Sequence, residues 1–170
     1  MAARPGHRSQ GILRFGSAVF PCALGRGGIS ARKREGDGAT PLGRYRILSG
    51  YYRRDHGICP RTRLPMKPIT PVLGWCEVPS DRNYNRPVRM PYGASHERML
   101  RDDELYDTCL VLDWNIRPRR RGCGSAIFLH LARPGFMPTQ GCIAVSAPVM
   151  ARLLPLLTTR TVVSVTRSRS

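Results

Sequence analysis

Two residues carry the clearest chemical potential in the chain, His130 and Cys142. Both lie in the stretch from 127 to 146, IFLHLARPGFMPTQGCIAVS. This stretch predicts a buried strand ending at His130, then a Pro/Gly loop, then a Gly141-Cys142 turn that opens a second apolar run. A thiol becomes an efficient nucleophile when a base stands beside it, and imidazole is the usual base. Glycine at 141 permits a sharp turn whose successive amides can face a developing oxyanion. Twelve positions separate the two residues, too many for one helix or strand face. They meet only if the chain crosses over and returns beside its own strand. Taken alone, two buried residues without a chemical role fit the same pattern.

Other candidate chemistry is thinner. Asp102, Asp103 and Glu104 cluster in MLRDDEL, but adjacent residues on a helical turn point apart, so a solvated acidic face answering the neighbouring arginines is expected. His56-x-x-Cys59 is the one near miss to a metal-ligand pair, and six cysteines at 22, 59, 76, 109, 123 and 142 contain no Cys-x-x-Cys. With Cys142 set aside, five remain, so most are expected as small buried hydrophobes rather than as a disulfide framework. The segment GRGGISARKREGDGATP (25–41) is glycine-rich and basic, yet it lacks the spacing of a phosphate-binding loop and reads as a long surface loop.

The elements that must position His130 and Cys142 are short and extended. Fifteen prolines and seventeen glycines favour a mainly β architecture over a helix bundle. Runs at 11–15 and 18–24 flank Gly16-Ser17, a hairpin turn. Arg44–Leu48 alternates as a strand. Residues 50–98 carry seven prolines, which predict a long irregular segment with brief strands at Ile69–Val72 and Trp75–Val78. Within it, Asp81–Pro87 is polar and aromatic together and reads equally as a functional loop or as a lid-like loop packed by Tyr84 and Tyr92. YDTCLVLDW (106–114) predicts a central strand, and 124–131 the next. Ser146 caps a short helix with Pro148 in its first turn and Met150, Leu153 and Leu154 on its buried side. Thr161–Val165 closes as an edge strand. The expected division is a flexible N-terminus at 1–9, one domain at 10–166 and a polar tail at 167–170.

Composition bounds the partners. The net charge is +17, yet only Lys33 and Lys67 are lysines among twenty-eight basic residues. The arginines are scattered, apart from Arg117-Pro118-Arg119-Arg120-Arg121 and Arg32-Lys33-Arg34. Basic-aromatic alternation and a basic helix are missing, so specific nucleic-acid recognition is not expected. A non-catalytic basic module for cell wall or nucleic acid, or a cysteine hydrolase of other amides, stands as the alternative. No apolar run reaches the length of a membrane-spanning helix, and 15–25 is a poor secretory segment.

Context raises the standing of the Cys–His pair. Thr139-Gln140-Gly141-Cys142-Ile143-Ala144, preceded by a strand ending in His130, resembles the active-site motif of L,D-transpeptidases, the YkuD-like catalytic domain. That motif runs His, a loop, then Ser/Thr-x-Gly-Cys-hydrophobic-Arg/Asn. Independently, GDGATPLGRY (36–45) resembles the family's upstream signature. Together with 81–87 and 105–107, which resemble a compact bacterial branch, the likeness spans roughly residues 25–166.

The resemblance implies an L,D-transpeptidase-type β-sandwich with short helices and a long irregular middle loop. It implies Cys142 as nucleophile, His130 as general base, and Gly141 with the Cys142 amide at the oxyanion. Thr139 would support the cysteine loop. Thr139, Gln140, Arg133, Tyr84 and Asn85 are the expected substrate contacts. No metal or organic cofactor is implied. The implied partners are peptidoglycan stem peptides, with a protein amine as a further acceptor, the implied compartment is the periplasm or cell envelope, and a monomer is expected. Three departures stand out: Ala144 where arginine or asparagine is usual, Gln140 where many members have a second histidine, and Leu131 in place of a small residue.

Overall fold

A computed structural model describes residues 1–167. The chain is built from short strands, in order β1 (Ala2–Ala3), β2 (Gln10–Phe15), β3 (Ala18–Ala23), β4 (Ile29–Ser30), β5 (Thr40–Pro41), β6 (Gly43–Tyr52), β7 (Met66–Pro68), β8 (Leu73–Cys76), β9 (Pro87–Arg89), β10 (His96–Arg98), β11 (Thr108–Leu112), β12 (Phe128–Leu131), β13 (Ile143–Val145) and β14 (Val162–Val165), with one helix, α1 (Ala147–Leu153). The main sheet runs β1-β2-β3-β13-β12-β11-β6-β14, with β7 beside β6. Its two ends meet where Ala2 bridges Thr166, so the mixed sheet curls almost into a barrel, consistent with the expected sandwich. Closing the ends removes most of the exposed edge of the sheet.

Strand character follows the residue pattern. Every residue of β11, TCLVL, is buried, as a strand covered on both faces requires. The β2–β3 hairpin turns at Gly16-Ser17, where Gly16 takes φ +59°. β12 and β13 pair in parallel, with Leu129 opposite Ile143, His130 opposite Ala144 and Leu131 opposite Val145. The chain between them crosses over without an α-helix, through a single 3-10 turn at Pro134–Phe136. Ser146 sits at the N-cap of α1 without a side-chain capping bond, and Met150 and Leu153 face inward. They cover an aliphatic core of Leu110, Leu129, Ile143 and Val145.

Three expectations need correction. Residues 1–9 are tied down where fraying was expected. Ala2 and Ala3 pair with Ile12 and Gly11, and the Arg4 amide donates to the Gln10 carbonyl at 2.8 Å. The edge of β2 offers free backbone groups, and two alanines fit against it. Of the tail, residues 168–170 lie outside the described residues. The 25–41 segment is more than a surface loop: β4 and β5 pair in parallel, and Lys33 is buried with its ammonium 2.5 Å from Asp37. In the middle segment the strands fall elsewhere than expected. Ile69–Val72 is not a strand, and Leu73–Cys76 pairs with Pro87–Arg89 on one side and His96–Arg98 on the other. The prolines limit strand length, but they do not prevent pairing at sheet margins.

Candidate active site

The parallel pairing of β12 and β13 brings His130 and Cys142 together. Stepping back one residue from the Leu129–Ile143 pair puts Cys142 level with Phe128 on the neighbouring strand. The Phe128 amide donates to the Cys142 sulfur at 3.3 Å. His130 lies two residues further along, about 6–7 Å up the strand and one strand over, on the same face. Both side chains line one cavity of about 340 Å³. The crossover that the spacing demanded is therefore present.

The cysteine loop is held by both sequence motifs at once. Gly141 takes φ +134°, and a Cβ there would stand 2.9 Å from the Ala39 carbonyl oxygen. Only glycine fits that conformation and that approach. Ala39 and Thr40 belong to the upstream GDGATPLG stretch. The Thr40 hydroxyl accepts from the Gly25 amide at 2.8 Å and lies 3.5 Å from the Cys142 carbonyl. The Thr139 hydroxyl donates to the same carbonyl at 2.6 Å and accepts from the Gly141 amide at 3.2 Å. Thr139 thus braces the loop as expected. The Gly141 amide, expected at the oxyanion, is instead engaged by Thr139, so the Cys142 amide is the donor that remains from that pair.

The resting charge state differs from a preformed ion pair. Burial pushes the Cys142 thiol up to about 12, and the nearby Glu97 charge adds to this, against the Phe128 amide. Burial also holds the His130 imidazole down to about 4. At neutral pH both groups are neutral. The thiol donates to the Ala126 carbonyl at 3.1 Å. His130 Nδ1 lies 2.8 Å from the Leu131 carbonyl, which can only accept, so the proton sits on Nδ1. Nε2 then carries the free lone pair of a base.

Groups from the middle segment form the opposite wall of the cavity. The Tyr106 ring meets the His130 ring edge to face at 5.2 Å between centroids, and its hydroxyl donates to Glu97. The Arg101 guanidinium lies 5.2 Å from the centre of the Tyr106 ring and is fixed by two bonds to Asp103, at 2.7 and 2.8 Å. That contact holds the Asp103 carboxyl down to about 2. Arg26, Arg101 and Arg133 face Glu35, Glu77 and Glu97 around the cavity. Such a mixed lining suits a ligand that carries carboxylates and an ammonium together. Among the described residues, no three His, Cys, Asp or Glu side chains gather as metal ligands.

The sequence-derived site is therefore divided. Cys142, His130, Thr139, Gln140 and Arg133 line the cavity. Tyr84 and Asn85 do not; each is 2% exposed and stands behind its wall. The Tyr84 hydroxyl donates to Glu35. Asn85 Oδ1 accepts from Trp75 Nε1 at 2.9 Å and from the Ala126 amide at 3.0 Å, while Nδ2 donates to the Trp114 and Asn115 carbonyls. With its amide fully engaged, Asn85 holds Ala126 at φ +52°, the residue whose carbonyl receives the thiol. Its role is support, and substrate contact is corrected to that. Ala144 lines the cavity beside His130, where its methyl leaves open the space a longer side chain would fill.

Glu97, Arg101 and Tyr106 were missed in the sequence. Their one signal was a charged run set directly before a buried strand. The remaining lone candidate, His56, bonds Asp107 at 2.8 Å, whereas Cys59 is exposed beside the Pro60 carbonyl.

No helix in the described residues is long and apolar enough to cross a membrane. No match is found among curated proteins or among solved structures. The sequence profile of the YkuD L,D-transpeptidase catalytic domain matches residues 11–165, which takes in both motifs, the crossover and the whole of the main sheet from β2 to β14. The chain belongs to the YkuD family of L,D-transpeptidase catalytic domains.

Proposed function

We propose that the protein is a cysteine-dependent L,D-transpeptidase acting on peptidoglycan stem peptides through an acyl-enzyme. Family membership implies L,D-transpeptidase-type chemistry on the wall polymer. The observation that carries the reading is the Cys142–His130 pair on one sheet face, opening on a cavity with charges of both signs.

As the thiol leaves the Ala126 carbonyl and attacks the carbonyl of the diamino acid's L-centre, its proton passes to His130 Nε2. The Cys142 amide faces the oxyanion of the tetrahedral intermediate. Collapse breaks the amide bond, and the proton on His130 goes to the departing amine of the terminal D-alanine. This leaves a thioester on Cys142 and a neutral imidazole. An acceptor amine from another stem then attacks, gives its proton to His130, and restores the thiol with a 3→3 cross-link. Water in that place makes the reaction an L,D-carboxypeptidation, and a protein amine anchors a protein to the wall.

Burial disfavours both charged forms, so thiol and imidazole rest neutral and His130 takes up the proton only as Cys142 reacts. Arg101 and Arg133 are placed for stem carboxylates, with Glu97 and Glu77 for an ammonium. Thr139 and Gln140 lie at the mouth. The proposed substrate belongs to the cell envelope.

The test compares Cys142→Ala with wild type on disaccharide tetrapeptides, measuring released D-alanine. A variant that still releases it at the wild-type rate overturns the assignment. A carbapenem should add a single mass at Cys142 on the intact protein; labelling at Cys109 or Cys59 instead contradicts it.

A further inference from the structure

The arginine run at 117–121 has no place in the catalytic cavity. Two of its members help to form a second cavity of about 340 Å³, which shares no lining residue with the first. Arg117 and Arg119 meet Arg86 there, over a floor that includes Trp75, Val111 and Ile116. Trp75 and Val111 are 4% and 3% exposed, which makes the floor an extension of the apolar interior.

Unpaired arginines are common in a chain of charge +17, but their convergence on one apolar cavity is not. Among the described residues none of the three forms an ion pair. No acidic residue lines the cavity. The Arg119 Nε is buried and has no hydrogen-bond partner. A buried donor left unmade is destabilising, and like charges brought together add to that. Burial and the neighbouring charges of Arg86 and Arg117 push the Arg119 guanidinium below its usual value. An anion in the cavity, held by terminal guanidinium N–H groups, would relieve the repulsion among the three arginines. The Nε–H and one terminal N–H of a guanidinium form the parallel fork that a carboxylate or phosphate takes bidentately.

We propose that this cavity is a second binding site, for a small organic oxyanion carried on an apolar stem. Its head is held by Arg86, Arg117 and Arg119, and its stem lies against Trp75, Val111 and Ile116. Carboxylate and phosphate share this chemistry; the first would come from a peptide terminus or a fatty acid, the second from a phosphorylated lipid or polymer. The site is independent of the reaction at Cys142.

The Trp75 indole N–H provides the probe, assigned in the Trp114→Phe variant. Hexanoate, hexyl phosphate and hexanol are titrated at constant ionic strength while its NMR resonance is followed. The expected result is a saturable shift with at least one of the two anions and none with hexanol. Arg86→Gln with Arg117→Gln, both at exposed positions, should weaken that binding at least tenfold with unchanged circular dichroism. Tighter binding of hexanoate assigns a carboxylate source, and tighter binding of hexyl phosphate a phosphate source. The proposal is overturned if neither anion shifts the resonance saturably, if hexanol binds as well, or if the double variant binds equally.

Discussion

The two faces of β11, β12 and β13 differ sharply, although the same strands supply both. Leu110, Leu112, Leu129, Ile143 and Val145 point into an aliphatic core covered by Met150 and Leu153 of the single helix. Their neighbours Cys109, Val111, Phe128 and Cys142 point the other way, into a cluster with Tyr51, Trp75, Met99 and Tyr106. The first face is closed by a regular element and is mostly aliphatic, with the Tyr45 hydroxyl and the Trp114 indole at its margin. The second is closed by segments between β7 and β11, whose tyrosines and tryptophan bring hydroxyl and indole groups with them. Polar edges and irregular cover leave room for a cavity, and that is where Cys142 and His130 sit. The strand period of two separates stability from reactivity within single strands, and a one-residue slip of β13 would bury Cys142 among leucines.

If that division is right, substitutions on the two faces should fail in different ways. Cys142→Ala should lower acyl transfer the most, by about 10⁶-fold, as for loss of a nucleophile elsewhere, with a melting temperature close to wild type. The paired control, Cys109→Ala on the same face, should keep activity; if both lose it equally, the face rather than the thiol is responsible.

His130→Gln should cost about 10²–10⁴-fold in acylation rate. It should also change the pH dependence of stability. In the unfolded chain the imidazole takes up its proton near 6.5, whereas in the fold it does so only near 4. The buried neutral ring therefore contributes stability that is complete above pH 6.5 and is lost as pH falls through 4. The loss is on the order of 3 kcal/mol. Urea midpoints of wild type and variant between pH 7 and 4 isolate it, since the carboxylates titrate in both. Curves that remain parallel would show that the ring is not held neutral.

On the other face, Leu129→Ala should destabilise by about 2–5 kcal/mol while the folded fraction acylates at the normal rate. A loss of rate per folded molecule would break the separation of the faces. Gly141→Ala lies at the border between the two functions. Its φ of +134° and the 2.9 Å approach to Ala39 predict a cost of about 1–3 kcal/mol, together with slower acylation as the cysteine loop shifts. The smallest effect is expected for Tyr106→Phe, about 1 kcal/mol in stability for the lost hydroxyl bond to Glu97. Its ring remains against His130, so the rate should hardly change. A loss as large as that of His130→Gln would mean that the phenol itself touches the reacting groups.

How much was readable in advance depends on how local the cause is. The hairpin at Gly16-Ser17, the buried run of β11 and the Ser146-Pro148 helix start are each written in a few consecutive residues, and each formed. His130 and Cys142 were readable because residue type and a glycine turn constrain them, and because Thr139-Gln140-Gly141-Cys142 matches a known pattern. Tyr84 and Asn85 were misjudged for the opposite reason. A polar-aromatic loop looks the same whether its side chains face a ligand or, as here, the Glu35 carboxylate and the Ala126 amide from behind. Glu97, Arg101 and Tyr106 lie within nine residues of one another, yet they were passed over because what brings them to the site is the Tyr106–His130 ring contact and a cavity shared with Cys142, which no spacing rule anticipates.

By itself, then, the sequence determined a mainly β chain, the cysteine and histidine proposed as nucleophile and base, and the glycine that the cysteine turn requires. These depend on residue chemistry and on periodicities of two and 3.6, which act over a few positions. The tertiary structure decided what is jointly owned by distant segments: the closing of the sheet by Ala2 and Thr166, the brace from Ala39 and Thr40, the charged wall facing His130, and the neutral resting state of the pair. That last point is the most telling. Ionisation is set by how much water burial removes and which charges remain nearby, and neither exists until strands from across the chain have packed around Cys142.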